Sequence, residues 1–123
     1  MICADTNCWI AYLSGDEGQD TGILDHAVIH GAVVMAPVVL SELLSDPSLE
    51  RQDAADLCAI RLLEIGAGYW ERAGRLRAQL LAKRVRARLA DTLIAQSCID
   101  HDVPLITRDK DFRHFAKHGL RLG

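Results

Sequence analysis

Short apolar runs alternate with longer segments in which apolar side chains recur every three or four positions. Met1–Ala4 is a compact apolar run that predicts a buried strand ending at Asp5. Asp5-Thr6-Asn7 then supplies a helix N-terminal signal, and Trp9, Ile10 and Leu13 follow it at helical spacing. A polar turn over Gly15–Gly18 precedes a modest helix, Thr21–His30. Ala32–Ala36 predicts a second strand between Gly31 and Pro37, and Pro37 suits the first turn of a helix running to Ser45. Asp46-Pro47 ends that helix. The pattern next predicts a helix over Ser48–Ala59 and a third strand over Leu62–Ile65, closed by Gly66-Ala67-Gly68. Tyr69–Arg84 is a long amphipathic helix with Ala73, Leu76 and Leu80 on one face, and Trp70 is assigned to the core. Ala90–Asp100 forms another helix and Val103–Thr107 a further strand. Phe112 and Phe115 suit a short C-terminal helix, and Leu120–Leu122 an edge strand.

Strands that alternate with helices imply a parallel sheet covered on both faces. In such sheets ligands bind beyond the C-terminal strand ends, where the strand order switches direction. Asp5 and Asp109 both stand just after predicted strands. The chain is read as a single domain over residues 1–123, long enough for one core. Aromatic residues make up only 5% of the sequence, so aliphatic side chains and alanine must fill that core.

No apolar run approaches the roughly 20 residues needed to span a bilayer, and no basic segment leads into a long apolar stretch at the N-terminus. A cytosolic protein with no membrane partner is expected. Cys3, Cys8, Cys58 and Cys98 form no CxxC pair and no zinc-ligand spacing, so they are expected as free thiols, with Cys58 and Cys98 in the core.

The net charge of −3 hides an asymmetry: residues 1–64 carry 11 acids and two basic residues, residues 65–123 six acids and 12 basic residues. This division suits an acidic pocket beside a basic surface able to hold a polyanion. Arg84, Arg86, Arg88 and Arg108 are the candidates for phosphate contact. The pairs His26/His30 and His114/His118 lie on polar helices and are expected at the surface.

Four acids shape the chemical expectation. Asp5, Glu42, Asp91 and Asp109 each sit in or beside an apolar segment, where an uncompensated carboxylate is costly. Glu42 follows Val38 and Val39 at helical spacing, which turns it toward apolar surroundings. Asp91 lies on or beside the apolar face marked by Ile94, Ala95 and Cys98, in the first turn of its helix. Carboxylates gathered in one pocket repel each other, and a divalent cation relieves that repulsion. Mg²⁺ and Mn²⁺ favour oxygen ligands, and Mg²⁺ takes only one or two direct carboxylates while keeping several waters. Asp111 is an accessory acid in the same region.

The stretches Asp5-Thr6-Asn7, Ser41-Glu42-Leu43-Leu44, Ala90-Asp91-Thr92-Leu93-Ile94-Ala95 and Leu105-Ile106-Thr107-Arg108-Asp109-Lys110-Asp111-Phe112 resemble, in order and spacing, the PIN domain, and within it the VapC-like ribonuclease toxins. The resemblance covers nearly the whole chain. It implies an α/β fold, a three-layer α/β/α sandwich with a central parallel sheet of order 3-2-1-4-5. It implies an Mg²⁺-dependent endoribonuclease, with Mn²⁺ able to substitute, acting as the toxin of a type II toxin–antitoxin pair. Asp5 and Asp91 would be the main metal ligands, with Glu42 and Asp109 completing the catalytic pocket. Thr107 would support the pocket through its hydroxyl and Asn7 would help orient Asp5. The implied partners are an RNA substrate, a cognate VapB-like antitoxin and a second copy of the chain. Two positions depart from the family pattern: Arg86 stands where a glycine is frequent, and Gln96, Ser97 and Cys98 replace frequent alanines.

Two other functions compete. A phosphatase of the haloacid dehalogenase type also starts with a strand and an Asp, but it needs a second Asp two residues on, where this chain has Asn7. A PIN-like scaffold that binds RNA or protein without turnover has no need of four acids.

Overall fold

In a computed structural model that describes all 123 residues, the sheet is built from very short strands. Cys3–Ala4 (β1) pairs in parallel with Leu105–Ile106 (β2), Cys3 opposite Leu105 and Ala4 opposite Ile106. Single parallel bridges extend this pair on both sides: Ile2 with Val33, Met35 with Leu62, and Leu105 with Leu122. Ladder bonds such as Val34 N–H to the Ile2 carbonyl at 2.9 Å and Leu63 N–H to the Met35 carbonyl at 2.9 Å connect the rows. The five rows therefore run third, second, first, fourth, fifth in chain order, all parallel. The chain turns from one side of β1 to the other at the β1–β2 boundary, which is the switch point where such sheets bind ligands.

The central rows are buried because helices cover them. Cys3, Ala4, Val34, Met35, Leu105 and Ile106 are all almost fully inaccessible. Thr6–Leu13 (α1) packs on Gln19–Ile29 (α2) and on Pro37–Leu44 (α3), which in turn touches Arg51–Cys58 (α4). Tyr69–Ala82 (α5) packs on Leu89–His101 (α6), and α6 also contacts α3. Thr92, Ile94, Ala95, Gln96, Ser97 and Cys98 form an almost unbroken buried run in α6. Its polar members are satisfied locally: the Thr92 hydroxyl donates to the Arg88 carbonyl at 2.8 Å, and the Gln96 amide donates to Asp100 at 2.8 Å. Tyr69 fastens α5 to α6 by donating to the Leu93 carbonyl at 2.7 Å. No helix is long and apolar enough to cross a membrane.

Several local expectations need correction. Leu62–Ile65 is not a strand beyond its bridge at Leu62; of its four residues only Leu63 is buried. The helix expected from Ser48 begins at Arg51, because the Asp46 carboxylate accepts both the Ser48 amide (2.9 Å) and its hydroxyl (2.7 Å) in a local turn. Trp70 is 62% exposed, since Tyr69 takes the inward position at the start of α5. Cys58 is exposed at the end of α4, whereas Cys3, Cys8 and Cys98 are buried free thiols. The edge row at Leu120–Leu122 is reduced to one bridge. Phe112 and Phe115 sit on a 3₁₀ helix, Lys110–His118, whose three-residue repeat turns both rings into the core.

Candidate active site

The C-terminal ends of β1 and β2 open into a cavity of about 310 Å³ lined by Asp5, Thr6, Asn7, Ile10, Glu42, Arg88, Ala90, Asp91, Ile94 and Asp109. Each acid arrives on a different element. Asp5 ends β1 and caps α1, accepting from the Cys8 amide at 2.9 Å. Asp109 follows β2 and caps the 3₁₀ helix, accepting from the Asp111 amide at 2.9 Å. Asp91 lies in the first turn of α6, and Glu42 in the last turn of α3. Four carboxylates separated by up to 104 positions in the chain thus face one space.

Asp5 is the most enclosed, with only 2% of its surface exposed. Both its oxygens are held: Oδ1 by the Cys8 amide, Oδ2 by the Thr107 hydroxyl at 2.6 Å. Burial pushes its pKa up, the Thr107 and Cys8 hydrogen bonds pull it back, and the charges of Asp109 and Asp20 push it up again. The net direction is upward. Asp91 is pushed up to about 6, first by burial, then by the neighbouring charges of Asp109 and Asp5; Arg88 opposes and Glu42 adds to the rise. These mutual effects are the electrostatic mark of acids sharing one low-dielectric space.

The donor set suits a hard divalent cation, because every candidate ligand in the cavity is a carboxylate, hydroxyl or amide oxygen. The acids do not form a closed cage: no group of three His, Cys, Asp or Glu side chains converges tightly enough to hold an ion directly. A cation here would therefore contact one or two carboxylates directly and reach the others through water. A larger cleft of about 400 Å³ lies along the α1–α2 turn, lined by Tyr12, Asp16, Glu17, Thr21 and Asp25 and by Gly15, Gly18 and Gly22, and it contains none of the four acids.

Other expected residues fall elsewhere. Thr107 stands behind Asp5 rather than in the cavity, donating to Asp5 and accepting the Asp109 amide at 2.9 Å. Asn7 lines the cavity but makes no hydrogen bond to Asp5; Cys8 and Thr107 orient that carboxylate instead. Asp111 contributes its backbone amide to Asp109, and its carboxylate is not in the cavity wall. Glu42 is exposed at the cavity mouth and does not point into the apolar layer, because Val39 and Leu43 occupy the inward face of α3 and Glu42 is rotated about 100° from Leu43. Among the four arginines, Arg88 lines the cavity, while Arg84 and Arg86 are exposed on the loop before α6. Arg108 turns away and forms ion pairs with Asp16 at 2.9 Å and Asp20 at 2.8 Å. Sequence reasoning missed Thr6, whose hydroxyl donates to Glu42 Oε1 at 2.6 Å and ties α1 to α3. The two residues are 36 positions apart, and no local pattern announces the contact. The His26 and His30 rings meet at a tilt, 4.1 Å between centroids, on the exposed side of α2 and its C-terminal end, and neither lines the cavity.

Comparison with known proteins agrees with this fold. Residues 2–118 match the family model described as the PIN domain. The fold is similar to that of VapBC2 from Rickettsia felis, solved bound to a DNA fragment from the promoter, with a TM-score of 0.78 and 21% identity over 100% of this chain and 98% of that one. It is also similar to DNA-bound VapBC from Salmonella typhimurium (TM-score 0.68, 18% identity, 100% of this chain and 98% of that one). VapBC-5 from Mycobacterium tuberculosis, a member of the VapBC family of toxin–antitoxin systems, gives a TM-score of 0.63 and 23% identity over 98% of both chains. None of the curated proteins compared matches the sequence.

Proposed function

The chain belongs to the PIN domain family, and from that premise we propose that it is a divalent-metal-dependent endoribonuclease acting as the toxin of a toxin–antitoxin pair. The observation that carries the proposal is the convergence of Asp5, Glu42, Asp91 and Asp109 on one cavity at the sheet's switch point. Mg²⁺, with Mn²⁺ as a substitute, would be held by Asp5 and Asp91, and when bound it supplies Lewis acidity toward water and a phosphoryl oxygen. Asp5 is fixed for that task by Thr107 and Cys8, and Asp91, pushed up by burial and by its acidic neighbours, is relieved by a nearby positive charge. Glu42, steadied by Thr6, and Asp109, steadied by Asp111, accept hydrogen bonds from water at the cavity mouth and orient it toward phosphorus. Water adds to phosphorus while the P–O bond to the leaving ribose oxygen breaks; the proton released by water passes to a cavity carboxylate, and the leaving oxygen takes up a proton from solvent.

Arg88 is the one basic side chain in the cavity wall and is free of any ion pair, which supports it as the contact for an RNA phosphate. Arg84 and Arg86 extend that basic edge along the loop. The similarity to VapBC proteins supports a VapB-like antitoxin as partner, and a homodimer acting in the cytosol belongs to the same proposal. Asn7 in place of a second Asp disfavours the phosphatase alternative.

The test is cleavage of a labelled single-stranded RNA by the purified chain in Mg²⁺. Cleavage is expected to disappear with EDTA and in Asp5→Asn. Activity that persists in EDTA at the wild-type rate contradicts the proposal. A non-catalytic scaffold is distinguished by calorimetry with Mn²⁺, which it has no reason to bind in an Asp5-dependent way.

A further inference from the structure

Arg108 sits between Thr107, which supports Asp5, and Asp109 of the cavity wall, yet its own side chain is absent from that wall and reaches Asp16 and Asp20. Arg108 lies in a bend beyond the end of β2, closed by the Asp109 amide donating to the Thr107 hydroxyl, so neighbouring residues of one short segment serve the cavity on one side and a separate anchor on the other. On the far side, Arg108 Nε and Nη2 donate to the two oxygens of Asp20 at 2.8 and 3.1 Å, and Nη1 donates to Asp16 at 2.9 Å. Asp20 opens α2 and Asp16 lies in the turn before it. The fork binds residues 88 and 92 positions away. This geometry suits a planar guanidinium and not a point charge.

We propose that Arg108 is a positioning residue: its ion pairs with Asp16 and Asp20 pin the Thr107–Asp109 segment to the α1–α2 turn and thereby hold Asp5 and Asp109 in place for the cation. The proposal rests on the nuclease reading above and extends it to a residue outside the cavity. Three links connect the anchor to the acids. Thr107 donates to Asp5 Oδ2 at 2.6 Å, the same hydroxyl accepts the Asp109 amide at 2.9 Å, and Asp20 lies beside the Cys8 thiol, whose own backbone amide donates to Asp5 Oδ1. The guanidinium also offsets part of the Asp20 charge, which bears on Asp5. Three N–H groups of Arg108 are taken up in these pairs, which removes it from the set of phosphate contacts. Gly18 is packed against the anchor: a Cβ there would stand 2.9 Å from Asp20 Oδ1 and 3.7 Å from Arg108 Nη2.

The experiment compares the full-length wild type with Arg108→Ala, Arg108→Lys and Asp20→Asn. Mn²⁺ affinity is read by calorimetry, kcat and KM on single-stranded RNA in Mg²⁺, and RNA binding in EDTA across a salt series. Outer-shell partners typically carry 10–100-fold in metal affinity or activity. Arg108→Ala is therefore expected to weaken Mn²⁺ binding and lower kcat by about tenfold or more. KM and the salt dependence of RNA binding are expected to stay at wild-type values. Arg108→Lys restores part of the loss by pairing with one carboxylate. Should Arg108→Ala fail to fold, Asp20→Asn, which keeps the Asp16 pair, carries the same comparison. Unchanged Mn²⁺ affinity in these variants overturns the proposal. So does a raised KM with intact kcat and a salt slope reduced by about one, the behaviour of a phosphate contact. A wild-type chain that binds no Mn²⁺ overturns the nuclease reading and this inference together, whereas wild-type binding that the variants leave unaltered overturns this inference alone.

Discussion

Asp91→Asn is expected to stabilise the metal-free protein while destroying its use. In the folded chain burial and the charges of Asp109 and Asp5 push Asp91 up to about 6, from an ordinary value of 3.8. The fold therefore holds this proton more tightly than the unfolded chain does. The associated stability is fully present below about pH 4 and is lost as pH rises through about 6. At one pKa unit per 1.36 kcal/mol, the ionised carboxylate costs the fold at most about 3 kcal/mol at neutral pH. Asp91 is only half-buried, so solvent screening reduces that ceiling to about 1.5 kcal/mol. Its place in the first turn of α6 works the other way, since a helix N-terminus favours a negative charge by about 0.3–1 kcal/mol. The net gain from an uncharged, isosteric side chain is about 1 kcal/mol, or roughly 4 °C in melting temperature for a chain of this length. The assay is thermal unfolding in EDTA at pH 7.5 and pH 4.5, followed by a Mn²⁺ titration at pH 7.5. The Asp91→Asn variant is expected to melt higher at pH 7.5, and the difference to shrink at pH 4.5, where wild-type Asp91 is protonated. With Mn²⁺ at about 100 times its Kd, the wild type should gain about 2.7 kcal/mol and the variant little. A variant that melts lower in EDTA at pH 7.5, or a difference independent of pH, refutes the reasoning.

Two further outcomes follow from other contacts. Thr107→Val removes a charge-assisted donor to Asp5 and an acceptor for the Asp109 amide, so it is expected to cost about 1.5–3 kcal/mol in urea unfolding at pH 7 and to weaken Mn²⁺ binding in calorimetry. Tyr69→Phe loses the bond to the Leu93 carbonyl and is expected to lower stability by about 1 kcal/mol with RNA cleavage unchanged, since it lies outside the cavity.

The residues that could be read from the sequence were those whose local pattern and position agree. Asp5 directly follows, and Asp109 stands three residues beyond, an apolar run that becomes a central row of the sheet, and burial of both rows leaves these carboxylates past the strand ends. Asp91 lies in the first turn of a helix whose following residues are nearly all inward, so its place beside the core was legible too. The row at Leu62 was overstated because its apolar composition resembles a strand, yet only one residue bridges to Met35 and most of its neighbours face solvent. Trp70 and Cys58 were misplaced by residue type: size and apolarity do not fix which of two adjacent helical positions turns inward, as Tyr69 beside Trp70 shows. The partners of Glu42 and Arg108 are 36 to 92 positions distant, and such contacts exist only once the sheet has brought the helices together. Charge alone suggested a phosphate for Arg108, where tertiary structure supplies two carboxylates.

Diffraction from crystals grown with Mn²⁺, recorded for its anomalous signal, asks whether the four acids serve a common ion. The expected result is a single strong peak in the cavity between Asp5 and Asp91, within coordination distance of at least one of their carboxylate oxygens and lost in Asp5→Asn. A cavity without anomalous density under saturating Mn²⁺, or a peak only at the surface pair His26 and His30, contradicts the assignment.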